Sequence, residues 1–159
     1  MMQAVIMAGG KGTRLAALTK DEIPKPMVPV AGRPLLLWQV ERLKENGITD
    51  IVMVIGHLGD KIREYFGDGE KFGVSIRYFE ETEPLGTAGS FYYLKDMIRG
   101  NRFVMMSGDL FFDIDFQRMI HFHEEKGAVA TLFVHPNGHP FDSDLLVLDH
   151  DDKITAFDS

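Results

Sequence analysis

Short apolar runs of strand length alternate with amphipathic stretches of helix length along this whole sequence, and that rhythm restricts the fold more than any other feature. Gln3 to Met7 is an apolar run that stops at Gly9-Gly10, as a buried strand entering a tight turn would. Pro34 suits the first position of a helix carried by Leu35, Leu36, Val40 and Leu43 and ended by Asn46-Gly47. Asp50 to Ile55 and Val74 to Phe79 read as further strands, with a short helix from His57 to Phe66 between them. Thr87 can cap a helix reaching to about Arg99, and Arg102 to Met106 is a fourth strand. Ile114 to Lys126 reads as a helix and Ala128 to Val134 as a fifth strand; Asp144 to Leu148 and Lys153 to Phe157 are two shorter candidates. Strands alternating with helices predict an α/β fold of three layers, a mostly parallel sheet covered on both faces. Ligands of such sheets bind at the carboxyl ends of the strands, which directs attention to the loops after Met7, Phe79 and Met106.

Composition narrows the class further. The 159 residues suffice for one domain with its own core, and apolar residues spread along the chain exclude low-complexity disorder. The absence of cysteine rules out a disulfide-stapled scaffold and any thiolate metal site. No apolar run approaches the roughly 20 residues of a membrane helix, and the N-terminus lacks the pattern of a signal peptide. The expectation is a soluble, cytoplasmic protein without membrane partners. A net charge of −7 and no basic stripe argue against nucleic acid as a partner. Charge is uneven, however: residues 9–33 hold five basic side chains against two acidic ones, whereas residues 107–159 hold eleven acidic against three basic.

The loop after the first strand is Ala8-Gly9-Gly10-Lys11-Gly12-Thr13-Arg14. Three glycines in four positions let backbone N–H groups converge on a ligand, and Lys11 and Arg14 add positive charge, so phosphate is the natural guest. The loop is neither a Walker A sequence nor a dinucleotide fingerprint, since Leu15 stands where the third glycine would fall. In Pro24-Lys25-Pro26 two prolines flank a lysine, stiffening the backbone into extended geometry and fixing the direction of the ammonium. After the third strand, Glu83-Pro84-Leu85-Gly86-Thr87-Ala88-Gly89 turns into a helix whose first N–H groups are free. The fourth strand ends in Ser107-Gly108-Asp109. An aspartate there, beside a phosphate site, is where Mg²⁺ would bridge protein and phosphate oxygens, although a turn residue or helix cap would look the same.

Taken together, Gly9 to Leu15 (GGKGTRL), Pro24 to Met27 (PKPM), Glu83 to Gly89 (EPLGTAG) and Gly108-Asp109 resemble, in order and approximate spacing, the motifs of sugar-1-phosphate nucleotidylyltransferases. The resemblance covers nearly the whole chain. It implies a Rossmann-like nucleotide-binding core that joins an NTP to a sugar 1-phosphate, releasing pyrophosphate, with Mg²⁺ as cofactor. It further implies that Ala8, Gly9, Gly10, Lys11, Gly12, Thr13 and Gly108 surround the nucleotide, with the glycine backbone cradling its phosphates. Arg14 would hold the pyrophosphate leaving group, Lys25 would contact the α-phosphate, Glu83 with Gly86 would line the base pocket, and Asp109 would bind the metal. No acid–base pair or covalent nucleophile is required, because in-line attack on the α-phosphorus needs positioning and charge neutralisation.

Two departures stand out. Ala17-Leu18-Thr19 replaces the proline-containing step usual in the signature loop. The family's sugar-binding half, with a second metal-binding aspartate, normally follows about where this sequence stops, so residues 1–159 read as a nucleotidyltransferase domain forming the N-terminal part of a longer protein. His135-Pro136-Asn137-Gly138-His139-Pro140, with Asp142 and Asp144 nearby, reads as a loop defined by Pro and Gly in preference to a zinc site. That stretch also resembles nucleotidyltransferases fused to, or working with, heptose bisphosphate phosphatases, and EPLGTAG resembles the mannose-1-phosphate guanylyltransferase branch. Both tilt the expected substrates towards GTP and a manno-configured sugar phosphate, with a sugar phosphate phosphatase as partner and an oligomer open. The alternative from another class is a nucleotide or nucleotide-sugar sensing module of the same fold without turnover.

Overall fold

The computed structural model describes residues 2–10, 22–83, 86–136, 138 and 144–158. Lys11, Gly12, Thr13 and Arg14, and with them His139 and Asp142, lie outside the described residues. The chain divides into two compact units, residues 1–117 and residues 118–159.

In the first unit, β1 (Gln3–Met7), β4 (Asp50–Ile55), β5 (Ser75–Glu80) and β6 (Phe103–Ser107) form a sheet in the order β5-β4-β1-β6, every neighbouring pair parallel. Alternation of side chains across the pleat explains the layers. Ala4 and Ile6 of β1 face one side, where they join Leu36, Val40 and Leu43 of helix α1 (Leu35–Glu45) and Ile62 and Phe66 of α2 (Gly59–Phe66). Val5 and Met7 face the other side, with Leu94 and Phe91 of α3 (Gly86–Leu94). The sheet therefore has helices on both faces, the three-layer α/β architecture expected from the sequence. Between β1 and α1, Pro29–Val30 (β2) and Arg33–Pro34 (β3) form a small antiparallel hairpin turned by Ala31 and Gly32, both at positive φ.

Two local expectations change in this unit. Pro24 is extended (ψ 141°), but Lys25–Met27 closes into a 3₁₀ turn, in which Met27 N donates to Pro24 O at 2.7 Å. Pro26 is tolerated there because the first residues of a helical turn need no N–H. Helix α3 ends at Leu94, short of Arg99. The buried Gln3 side chain competes for the backbone beyond it, donating to Met97 O at 3.3 Å and accepting from Arg99 N at 3.0 Å.

The second unit contains residues 118–126 of helix α4 (Phe116–Lys126) and an antiparallel hairpin of β7 (Leu145–Leu148) and β8 (Ile154–Asp158). Residues 128–134, expected as a fifth strand, are not in a strand: a β conformation needs a neighbour for its N–H and C=O groups, and among the described residues none pairs with them. Among the described residues no helix is long and apolar enough to cross a membrane.

Candidate active site

The strand order dictates where a ligand can enter. From β1 the chain first builds outwards on one side through β4 and β5, then crosses to the other side of β1 to lay down β6. The crossovers diverge between β1 and β6, which opens a crevice at their carboxyl ends. Met7 and Ser107 are register partners at that edge, and Gly108 N donates to Met7 O at 2.8 Å. A cavity of about 120 Å³ lies there, lined by Met7, Ala8, Gly10, Lys25, Pro26, Ser107 and Asp109. It is the size of a phosphate-bearing group and not of a whole nucleotide, for which a pocket of roughly 300 Å³ or more is usual.

Small residues permit this convergence. A Cβ on Gly108 would lie 3.1 Å from the Ala8 Cβ. A Cβ on Gly9 would lie 2.7 Å from Glu81 Oε2, and one on Gly56, at the end of β4, would lie 2.8 Å from Gly9 O. Gly9 and Gly56 thus let the turns after β1 and β4 touch, backbone on backbone. Real Cβ contacts are essentially never that close, so alanine at either position requires a shift.

Lys25 and Asp109 face each other across the cavity as an ion pair, with side chains 30% and 29% exposed. The 3₁₀ turn and the buried Pro26 fix the lysine backbone, and Lys61 of α2 donates to the Glu22 carbonyl three residues upstream. Asp109 Oδ2 accepts from Lys25 Nζ, and Oδ1 accepts from Ser107 Oγ. Burial pushes the Asp109 carboxyl up, but hydrogen bonds from Lys25 and Ser107 and the lysine charge outweigh it, holding the carboxyl below its ordinary value. At neutral pH the Asp109 side chain is therefore a carboxylate, paired with Lys25.

The structure therefore brings together Ala8, Gly10, Lys25 and Asp109 at one cavity, with Gly9 and Gly108 packed directly behind it. Glu83 is exposed in the segment leading to α3, and Gly86 is the first residue of that helix. Glu81, the first residue after β5, stands closer to the turn: Oε2 abuts Gly9, and Oε1 accepts a hydrogen bond from the fully buried Ser90 hydroxyl. Its place directly after a strand was a legible signal. Gly56 carried the same signal, whereas Ser107 and Gln39 become meaningful only through tertiary contacts.

Asp109 is the carboxylate of this cavity, and among the described residues no cluster of three or more His, Cys, Asp or Glu could hold a metal. One carboxylate suits Mg²⁺, which commonly takes one or two protein oxygens and fills its shell with phosphate oxygens and water. The donor chemistry is compatible with a cation delivered with a nucleotide.

A parallel sheet covered by helices, with a glycine turn, a lysine and an aspartate meeting at its switch point, defines an α/β fold with a candidate ligand site at its strand ends. The profile of the nucleotidyl transferase family matches residues 3–158, and the chain belongs to that family. It is 36% identical over 161 aligned residues to a protein of Oryza sativa subsp. japonica assigned as mannose-1-phosphate guanylyltransferase 1, the match covering 98% of this chain and 44% of the relative. It is 42% identical over 118 residues to the D-glycero-alpha-D-manno-heptose 1-phosphate guanylyltransferase of Campylobacter jejuni, covering 74% and 52% respectively. Among solved structures, a Bacillus anthracis protein assigned as a glucose-1-phosphate thymidylyltransferase superposes with a TM-score of 0.87 at 28% identity, over 99% of this chain and 63% of that one. The chain spans about half the length of the curated relatives it matches.

Proposed function

We propose that this chain carries the nucleotide-binding part of an enzyme that transfers a nucleotidyl group from an NTP to a sugar 1-phosphate, forming an NDP-sugar and pyrophosphate. What supports this most directly is the meeting of Lys25, Asp109 and the Ala8–Gly10 turn at one cavity of phosphate size, in a chain whose relatives bear the names of such enzymes. The Ala8–Gly10 backbone seats the phosphates, and Lys25, fixed by its prolines, neutralises charge gathering on the α-phosphate oxygens. Arg14, four residues beyond Gly10, would hold the departing pyrophosphate. Asp109 would hold Mg²⁺, which supplies charge neutralisation on the phosphate oxygens when bound. Seating both substrates in line is the main catalytic work, since the attacking phosphate oxygen is already ionised.

GTP and a manno-configured sugar phosphate are the favoured pair. Two guanylyltransferase relatives support that choice, and a carboxylate beside the turn, Glu81 with Glu83 beyond it, suits the paired N–H donors on one edge of guanine. A sugar phosphate phosphatase is the expected companion activity. A pyrophosphate-release panel tests the proposal, crossing ATP, CTP, GTP, UTP and dTTP with mannose, manno-heptose and glucose 1-phosphates, on this chain and on any longer gene product. Release with GTP and a manno-configured substrate is expected. Nucleotide binding without release from any pair, in either form, would overturn the enzyme in favour of a sensing module.

A further inference from the structure

Gln39 sits in the middle of α1, 2% exposed, where the apolar pattern of that helix would otherwise place a leucine. Its amide Nε2 donates to two carbonyls, Ser107 O at 3.0 Å and Leu110 O at 2.6 Å. These are the first and last residues of the four-residue turn that carries Asp109, so a single amide grips the turn on both sides of the aspartate. Gln39 Oε1 is buried and has no hydrogen-bond partner among the described residues. A buried acceptor left unmatched opposes folding and offsets part of what the two donated bonds contribute.

Arg42 of α1 and Asn46, the residue that caps its C-terminus, hold the segment beyond the turn. Arg42 pairs with Asp113 Oδ1 at 2.6 Å, and Asn46 Oδ1 accepts from Phe116 N at 3.2 Å. Positions 39, 42 and 46 follow helical spacing, which makes a polar rail along which residues 107–116 are laid. Only the Gln39 contact straddles Asp109.

We propose that Gln39 is a positioning residue of the transfer site: its amide sets the Ser107–Leu110 turn so that the Asp109 carboxylate faces the cavity and Lys25. The proposal deepens the reading of Asp109 as metal-holding and rests on it for its functional consequence, although the control of the turn can be tested separately. Gln39→Leu removes both donor contacts and the unmatched acceptor while keeping the apolar packing; Gln39→Met, which refills the space more flexibly, serves if the leucine variant does not fold. Amide hydrogen exchange at Asp109 and Leu110 should rise by about tenfold or more while β1 and β4 stay protected. Mn²⁺ affinity in the presence of GTP, read by electron paramagnetic resonance, should weaken by roughly tenfold or more, as expected for loss of a residue supporting a metal ligand. Arg42→Ala, which cuts the rail without touching the turn, should stay within about twofold of the parent on the same Mn²⁺ measurement. Unchanged exchange and unchanged Mn²⁺ affinity in the Gln39 variants overturn the proposal, as does an equal loss in Arg42→Ala. An Asp109→Asn variant separates the two ideas. If it leaves Mn²⁺ binding intact, the metal role of Asp109 fails, and exchange at the turn alone then decides the role of Gln39.

Discussion

The Lys25–Asp109 pair gives an outcome of opposite sign in two assays on one variant. Lys25 Nζ occupies one oxygen of the carboxylate that is proposed to hold a divalent cation, so the ammonium and a free cation compete for Asp109. Replacing Lys25 by Met removes the competitor and keeps the unbranched stem, one heavy atom shorter. Two unit charges at contact are worth about 4 kcal/mol at an effective dielectric of 20. Both side chains are nearly a third exposed, and exposed pairs measure about 0–1 kcal/mol, so solvent screening brings the figure to about 1–2 kcal/mol. That corresponds to Mn²⁺ binding roughly 5–30 times tighter in Lys25→Met than in the parent, without nucleotide. Turnover with NTP should meanwhile fall by on the order of 10²-fold or more, because the α-phosphate loses its cation. Mn²⁺ titration followed by electron paramagnetic resonance measures the first effect, and pyrophosphate release measures the second. The carboxyl also loses the hydrogen bond and charge that offset its burial, so the pH midpoint of Mn²⁺ binding should move up. Tighter binding with lost turnover is the expected combination. Bare Mn²⁺ affinity that is unchanged or weaker would refute the competition, and normal turnover would refute the contact of Lys25 with the reacting phosphate.

Gly56→Ala places a methyl 2.8 Å from Gly9 O, and the turn after β1 must shift. The variant should fold with a loss of about 1–3 kcal/mol and bind GTP more weakly in calorimetry; parent-like affinity would show that the turn tolerates the shift. Glu81→Gln should narrow the preference for GTP over UTP by about tenfold in the release panel, with little change in stability, if the carboxylate reads the base. Tyr78, whose hydroxyl donates to Gly67 O at 2.6 Å, has its pKa pushed up to about 12 by burial, against the pull of Arg63. The neutral form is favoured by folding, so this contribution is complete below pH 10 and is lost as pH rises towards 12. A shift of two units is worth at most about 2.7 kcal/mol, and the ring's partial exposure reduces it to about 1 kcal/mol. Tyr78→Phe should flatten the alkaline limb of the denaturation midpoint against pH, and an unaltered limb would exclude Tyr78 as its source.

Periodicity and punctuation were enough to read the parallel sheet and the strand ends at which the cavity lies, because buried stretches such as Ile51 to Ile55 are continuous apolar runs. Ala8, Gly10, Lys25 and Asp109 were legible as well, each lying at a strand end or between prolines. Residues 128–134 have strand composition without a strand, since local preference cannot supply a neighbour to hydrogen-bond. Gln39 is a buried polar residue on an otherwise apolar helix face. Its meaning depends on Ser107 and Leu110, some 70 residues away, and no local pattern encodes that distance. Glu81 and Glu83 are chemically alike and two residues apart, and only the packing of Ser90 and Gly9 separates their roles.

The position of β6 has a consequence for the order of events during synthesis. Of the four strands of this sheet β1 is made before the others, yet one of its two edges has no partner until Phe103–Ser107 arrives about 100 residues later. Until then the nascent chain carries an open apolar edge of the kind that pairs with other chains, and the cavity lacks one wall. The pairing of longest sequence separation in the sheet is therefore also the one that closes the cavity. Any ligand that bridges the ends of β1 and β6 would latch the last strand of this sheet onto its first, coupling ligand supply to how much newly made protein escapes aggregation.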